Sequence, residues 1–312
     1  MKAINYSNRK VFSINTDKPK GEGVLVNISS VGICGTDLHL LESGAHSPHI
    51  AGHEISGITS DGQHVSIEPV IRCGECDCCR RGDYQLCQGE SAVLGIDKDG
   101  GMTEQMLVPE YCLVKLDKNL ELKDASLVEP LAVALHGLLR TKTTSEHRVA
   151  VIGGGSVGLC TVAAAQFLGC KVSLHARYDH QKEAGEKLGA TEIKGSYDRV
   201  IDCAGSPDAI ELCIESCAPG SWLILLAVPW DRLDLPGIAM MVKEIRVFPS
   251  MVYGVTNGVR DIERAAELLS LNSQIGKTLI THRFPLNSAE EAFDVAKDRK
   301  SGSIKVVFDT GI

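Results

Sequence analysis

The sequence predicts an α/β protein in which a mostly β lobe precedes a doubly wound parallel sheet, and three observations carry that expectation. Short β-type runs fill the first third, among them Gly23–Ile28 and His64–Ile67, separated by Gly, Pro, Asp and Ser turns. From about Asp124 helix-like and strand-like segments alternate, with strands expected at Arg148–Ile152, Cys170–Leu174 and Arg199–Asp202. Directly after the first of these strands comes Gly153-Gly154-Gly155-Ser156-Val157-Gly158, and then an Ala-rich helix starting near Val157. A strand turning sharply through glycines into a helix is the opening unit of a parallel sheet.

The chain has 312 residues, 44% of them hydrophobic and 23% charged, which suits two globular domains of ordinary size. Its 32 basic and 40 acidic residues leave a net charge of -8, so no basic surface is on offer to nucleic acid or an anionic membrane. Val149–Cys170 carries no formal charge over a length that matches a membrane span, but three glycines at its centre fit the strand-to-helix turn better than a spanning helix. The start, Met1-Lys2-Ala3-Ile4-Asn5-Tyr6, reads as an opening strand and not a signal peptide, so the cytoplasm is the expected compartment.

Past Tyr253-Gly254 the pattern predicts a helix over Val259–Leu271, a strand over Thr278–Phe284, a helix over Ser288–Lys300 and a last strand over Ile304–Phe308. These elements fit either lobe. No repeat, low-complexity tract or long linker is visible, which predicts two lobes in close contact with a cleft between them.

Twelve cysteines in a secreted chain would suggest disulfides, but four of them, Cys73, Cys76, Cys79 and Cys87, have zinc spacing, C-x2-C-x2-C-x7-C. Gly74 and Gly82 permit the turns that let four thiolates converge on a tetrahedral ion. Four thiolates close the coordination sphere, so this zinc is expected to hold a loop in shape. Cys78 lies inside the cluster, but choosing it over Cys79 breaks the regular spacing.

Two further segments, Gly32-Ile33-Cys34-Gly35-Thr36-Asp37-Leu38-His39 and Gly52-His53-Glu54, supply Cys, His and Glu, the mixed ligand set of a zinc that keeps an exchangeable position. These segments, the cysteine cluster and the later glycine turn occur in an order that resembles the zinc-containing medium-chain dehydrogenases of the alcohol dehydrogenase superfamily. The resemblance covers almost the whole chain and is closest to the polyol and threonine dehydrogenase branch. It implies a GroES-like catalytic domain from residues 1–123 and 256–312, a Rossmann domain over 124–255, and a catalytic zinc held by Cys34, His53 and Glu54. Glu129, before Pro130-Leu131-Ala132-Val133, resembles a further glutamate that approaches the metal in the polyol branch. A proline in the first turn of a helix equally makes Glu129 a residue favoured by the helix dipole.

Zinc favours loss of the proton from an alcohol oxygen, after which hydride leaves the adjoining carbon for a nicotinamide; in reverse the ion polarises a carbonyl. The resemblance makes Thr36 the hydroxyl that passes the proton outward and His39 the next station.

In the glycine turn, Gly153 makes the bend, Gly155 admits a pyrophosphate and Gly158 permits close helix packing, while Ser156 and Val157 open a helix whose amino terminus faces the phosphates. The second strand of such a fold ends in an acidic residue when the cofactor is NAD. Counting back from Leu188-Gly189-Ala190, that place falls on Ala176, followed by Arg177. Loss of the carboxylate and gain of a guanidinium predict NADP(H) over NAD(H), with Asp179 close enough to compete for the alignment. Lys305 falls where relatives present a basic residue to the cofactor phosphates.

The expected activity is therefore zinc-dependent hydride transfer between a secondary alcohol or polyol, or its carbonyl form, and NADP(H), with two zinc ions per chain. The alternatives are an NADPH-dependent aldehyde or ketone reductase, and a zinc- and nucleotide-binding protein with little turnover. Gly57–Val65 forms a shorter turn than the family usually carries, which leaves substrate size open. The run Ile245–Tyr253 reads as an edge strand that pairs between subunits of a homodimer or homotetramer, or as the last internal strand.

Overall fold

The computed structural model describes residues 1–230 and 232–311. The chain divides into two compact units, one from Met1–Glu129 with Ile262–Ile312 and one from Pro130–Asp261.

The first unit is built on a seven-stranded sheet in the order Ile280–Phe284, Lys305–Asp309, Val24–Gly32, Glu54–Thr59, His64–Ile67 and Leu113–Lys115, with Gln105–Val108 also pairing the central strand Val24–Gly32. Apolar side chains of these strands, including Val26, Ile28, Ile55 and Phe308, join Phe293 from the helix Ala289–Lys297 in one buried core. The elements that fit either lobe by sequence thus complete the first one. The strand expected from Thr278 begins at Ile280, because Gln274–Leu279 forms a short helix that buries Ile275 and Leu279.

Register in this sheet sets the chemistry that follows. Lys305–Asp309 runs antiparallel to Val24–Gly32 with Val307 opposite Gly32, and Gly32 in turn lies opposite Glu54. The Ile33 N–H donates to the Val306 carbonyl at 3.0 Å, so Lys305 arrives beside Ile33 and Cys34.

The second unit carries a six-stranded, wholly parallel sheet in the order Thr191–Glu192, Lys171–His175, Arg148–Ile152, Tyr197–Asp202, Cys217–Leu225 and Arg246–Pro249. The strand Arg148–Ile152 is buried from its second residue onward, as expected of a strand covered on both faces. Among the described residues, no helix is long and apolar enough to cross a membrane. The uncharged stretch from Val149 is instead a strand, a turn and the helix Ser156–Phe167.

Candidate metal centres and nucleotide site

The Sγ atoms of Cys73, Cys76, Cys79 and Cys87 all lie within 4.8 Å of one another. Backbone N–H groups face these sulfurs: Gln88 donates to Cys76 at 3.4 Å, Cys76 to Cys73 at 3.4 Å, and Cys73 to Cys87 at 3.5 Å. Donation from the Gln88 and Cys79 amides brings the Cys76 thiol down to about 6, whereas burial pushes Cys79 up to about 12. Four sulfurs this close cannot all ionise without a cation between them. A divalent ion resolves that conflict, so the donor set fits zinc.

The second constellation is anchored on the helix Gly35–Ser43. Cys34 is its N-cap, with Sγ accepting from the Thr36 N–H at 3.5 Å, and Asp37 reaches back to accept from the Cys34 N–H at 2.8 Å. This reciprocal cap fixes the Cys34 side chain. The His53 ring lies close enough to the Cys34 sulfur to feel its charge. Burial works to lower the His53 pKa, but the charges of Cys34, Asp37 and Glu129 prevail and hold it well above its usual value. Negative donors have gathered where a cation belongs. Cys34, His53 and Glu129 are donors of the kind zinc takes, and Glu129 stands in the first turn of the helix Val128–Arg140. Thr36 and His39, three residues apart and both half-buried, occupy one side of the Cys34-capped helix.

Glu54 is engaged elsewhere. Lys305 donates from Nζ to both of its carboxylate oxygens at 2.7 Å and to the Ile33 carbonyl at 3.0 Å. Gly32 makes room for this pair: a Cβ there would lie 1.9 Å from Glu54 Oε2. Among the described residues, the four-cysteine cluster is the only group of three or more Cys, His, Asp or Glu ligands whose donor atoms meet within 4.8 Å. The donor atoms of Cys34, His53, Glu54 and Glu129 are spread more widely, and the Glu54 carboxylate is turned to Lys305.

In the second unit, Gly153 has φ +113°, and a Cβ on it would meet the backbone of Cys203 at 2.9 Å. A Cβ on Gly158 would lie 1.8 Å from the Gly153 carbonyl oxygen, so only glycine allows the helix Ser156–Phe167 to start this close to the strand. Gly155 faces open space and caps that helix without a side chain, leaving the first N–H groups for an anion. Ser156 Oγ is buried there without a hydrogen-bond partner, and Val157 follows half-buried. This cradle fits a pyrophosphate. Ala176 follows the strand Lys171–His175 directly and packs against the turn, within 2.5 Å of where a Gly154 Cβ would stand. Arg177 is exposed beside it, while Asp179 begins the next helix and is bound to Lys182 at 2.8 Å.

Known proteins match this arrangement. Residues 20–118 match the family model "Alcohol dehydrogenase GroES-like domain", and residues 156–271 match "Zinc-binding dehydrogenase". D-xylulose reductase A of Aspergillus oryzae is 30% identical over 89% of this chain and 87% of its own. The chain belongs to the zinc-containing alcohol dehydrogenase family. The dehydrogenase is also 28% identical to sorbitol dehydrogenase of Bacillus subtilis, over 98% of this chain and 96% of that one. The crystal structure of galactitol-1-phosphate dehydrogenase from Escherichia coli superposes with a TM-score of 0.89 at 26% identity, covering 99% of this chain and 100% of that chain. The protein is thus a zinc-dependent dehydrogenase of the polyol and threonine branch that uses a nicotinamide cofactor.

Two expectations for this dehydrogenase change with the geometry. Lys305 is no phosphate ligand here: it is buried in the first unit, with its ammonium on Glu54 and Ile33. For the same reason Glu54 serves as the partner of Lys305, while no three of Cys34, His53, Glu54 and Glu129 bring their donor atoms within 4.8 Å of one another.

Asp37 escaped the sequence reading. Its Oδ1 is buried without a hydrogen bond and stands 3.9 Å from His53 Nδ1, itself also unpartnered. A metal-ligating histidine commonly turns its second nitrogen to a carboxylate, which fixes the ring. The signal was the spacing Cys34-x-x-Asp37, which is that of a capping box. Asp37→Asn is expected to keep the cap through its amide oxygen yet weaken zinc affinity about 10- to 100-fold. Competition with a chelator measures this, and unchanged affinity would remove Asp37 from the metal site.

Proposed function

We propose that this dehydrogenase oxidises a secondary alcohol or polyol, or reduces the matching carbonyl, with NADP(H) in preference to NAD(H). The observation that carries the cofactor choice is Ala176 at the strand end with Arg177 exposed beside it, no carboxylate standing in that place and Asp179 committed to Lys182. A guanidinium grips a ribose phosphate bidentately, and the missing carboxylate removes the repulsion that would exclude it. Arg177→Ala is expected to raise the KM for NADP about 10- to 100-fold while leaving that for NAD nearly unchanged. Steady-state kinetics with each cofactor decide; an unaltered preference counts against Arg177.

In this reading the first unit is the catalytic domain and the second the cofactor domain. Cys34, His53 and Glu129 hold the catalytic zinc, Asp37 orients His53, and the four-cysteine cluster holds a second, structural zinc. Bound zinc supplies a Lewis acid that favours the ionised form of an alcohol and polarises a carbonyl. Thr36 accepts the substrate hydroxyl proton and releases its own outward, and His39, on the same side of the helix, receives it. Gly153, Gly155, Ser156, Val157 and Gly158 seat the cofactor pyrophosphate. The proposed setting is the cytoplasm, where the chain's twelve cysteines stay reduced.

The proposed assembly is a homodimer through the open edge of the parallel sheet. Among the described residues, the strand Arg246–Pro249 has a neighbour on one side only. Around it Ile238, Met241, Val242 and Met251 are 77%, 75%, 80% and 60% exposed, joined by Val228 and Trp230 at about half. Monomers rarely leave apolar patches beyond ~300–600 Å² uncovered. Light scattering is expected to give twice the chain mass, and a monomer with Met241→Asp plus Val242→Asp; a wild-type monomer rejects the pairing.

A further inference from the structure

The four-cysteine loop is open to solvent. A cavity of about 650 Å³ is lined by Arg72, Cys73, Cys76, Gly89 and Glu90, and all four cysteines are half-exposed. The wall nearest Cys73 is bare backbone, since a Cβ on Gly89 would stand 2.8 Å from Cys73 Sγ. Within the cluster the Cys73 and Cys87 sulfurs are 3.4 Å apart, closer than Cys73 to Cys79 at 3.8 Å or Cys76 to Cys87 at 4.0 Å. A disulfide needs ~2.05 Å between sulfurs, so of these three pairs Cys73 and Cys87 have the shortest way to travel. Cys87 leads into the exposed residues Gln88, Gly89 and Glu90, which leaves it room to move. The fifth cysteine of the loop is withdrawn: Cys78 is buried, and its sulfur accepts from Arg81 Nη2 at 3.1 Å.

We propose that Cys73 and Cys87 are an oxidation site, at which a hydroperoxide entering the cavity joins the two sulfurs and strips the loop of its metal. The inference rests on the structural-zinc reading of this cluster. The Cys73 sulfur attacks the outer oxygen of the hydroperoxide, the O–O bond breaks, and the departing oxygen takes a proton and leaves as an alcohol, or as water from hydrogen peroxide. The sulfenic acid formed on Cys73 is then attacked by the Cys87 sulfur; the S–S bond forms, the S–O bond breaks, and the hydroxyl leaves with a proton as water. Two thiols give up two electrons and one hydroperoxide takes them. Only Cys76 and Cys79 then remain as donors, half of the four a closed site requires.

The experiment uses the full, zinc-replete chain with graded hydrogen peroxide. Released zinc is followed with a chromogenic chelator, disulfides are mapped by mass spectrometry of digested protein, and thermal melting is recorded in parallel. The expected result is loss of one zinc per chain together with a Cys73–Cys87 linked peptide and a lowered Tm. Dithiothreitol with added zinc reverses all three, and Cys78→Ser behaves like the parent. Retention of zinc in this loop while Cys34 is already oxidised overturns the proposal, as does a first disulfide that includes Cys78 or joins Cys76 to Cys79. Metal analysis before oxidation separates the two readings: a cluster purified without zinc refutes the metal assignment, and the disulfide map still decides whether Cys73 and Cys87 are the reactive pair.

Discussion

Lys305→Met is expected to lower the unfolding free energy by about 3–5 kcal/mol, measured by urea titration of the metal-free protein. Lys305 and Glu54 are both almost fully buried, at 3% and 1% exposure, and the ammonium satisfies both carboxylate oxygens and a backbone carbonyl at once. Methionine keeps the stem and removes the charge, which strands an ionised carboxylate away from water. Adding Glu54→Gln to the same chain is expected to recover most of the loss, because no uncompensated charge is then left. A loss below about 1 kcal/mol would mean that the pair behaves as if exposed to solvent. Repeating the titration with zinc bound asks a second question. If Glu54, once released, turns to the metal, the loss shrinks in the zinc-loaded protein; if it does not, the two losses agree.

Cys34→Ala is expected to reduce kcat/KM by about 10³-fold or more, since losing the metal forfeits several kcal/mol of charge stabilisation and each 1.4 kcal/mol is tenfold. Zinc content should fall by one per chain while the four-cysteine site stays loaded. The fold should hold, because alanine removes a sulfur that receives one long hydrogen bond from the Thr36 N–H, while the Asp37 bond to the backbone of residue 34 persists. Metal analysis beside steady-state kinetics checks both halves, and full zinc content in the variant would contradict the ligand assignment.

Some of this was legible in the sequence for definite reasons. The strand Arg148–Ile152 has the same bounds in both readings, because an apolar run ending in three glycines admits little else. The four cysteines meet as their spacing requires, since all lie within one short loop whose turns are local. What escaped was non-local. The Lys305–Glu54 pair spans 251 residues and exists only because Val307 lies opposite Gly32 in one particular register, which no local pattern encodes. The short helix Gln274–Leu279 was not expected, and its last two residues fall in the strand predicted from Thr278, because so short a helix has too little periodicity to announce itself. Asp37 has capping-box spacing from Cys34, but its place beside His53 depends on how the strand Glu54–Thr59 docks next to Val24–Gly32.

The division of the chain also orders its assembly in time. Pro130–Asp261 is one uninterrupted stretch whose sheet is closed by local strand–helix crossovers, so it can reach its final form while synthesis continues. The unit around Cys34 has to wait: the strand that delivers Lys305 comes from the last dozen positions, and until it arrives Glu54 has no cation and the edge of Val24–Gly32 no neighbour on that side. The unit that carries Cys34 and His53 is begun before the other and completed after it, which leaves its strands open to proteolysis and mispairing for longer during synthesis.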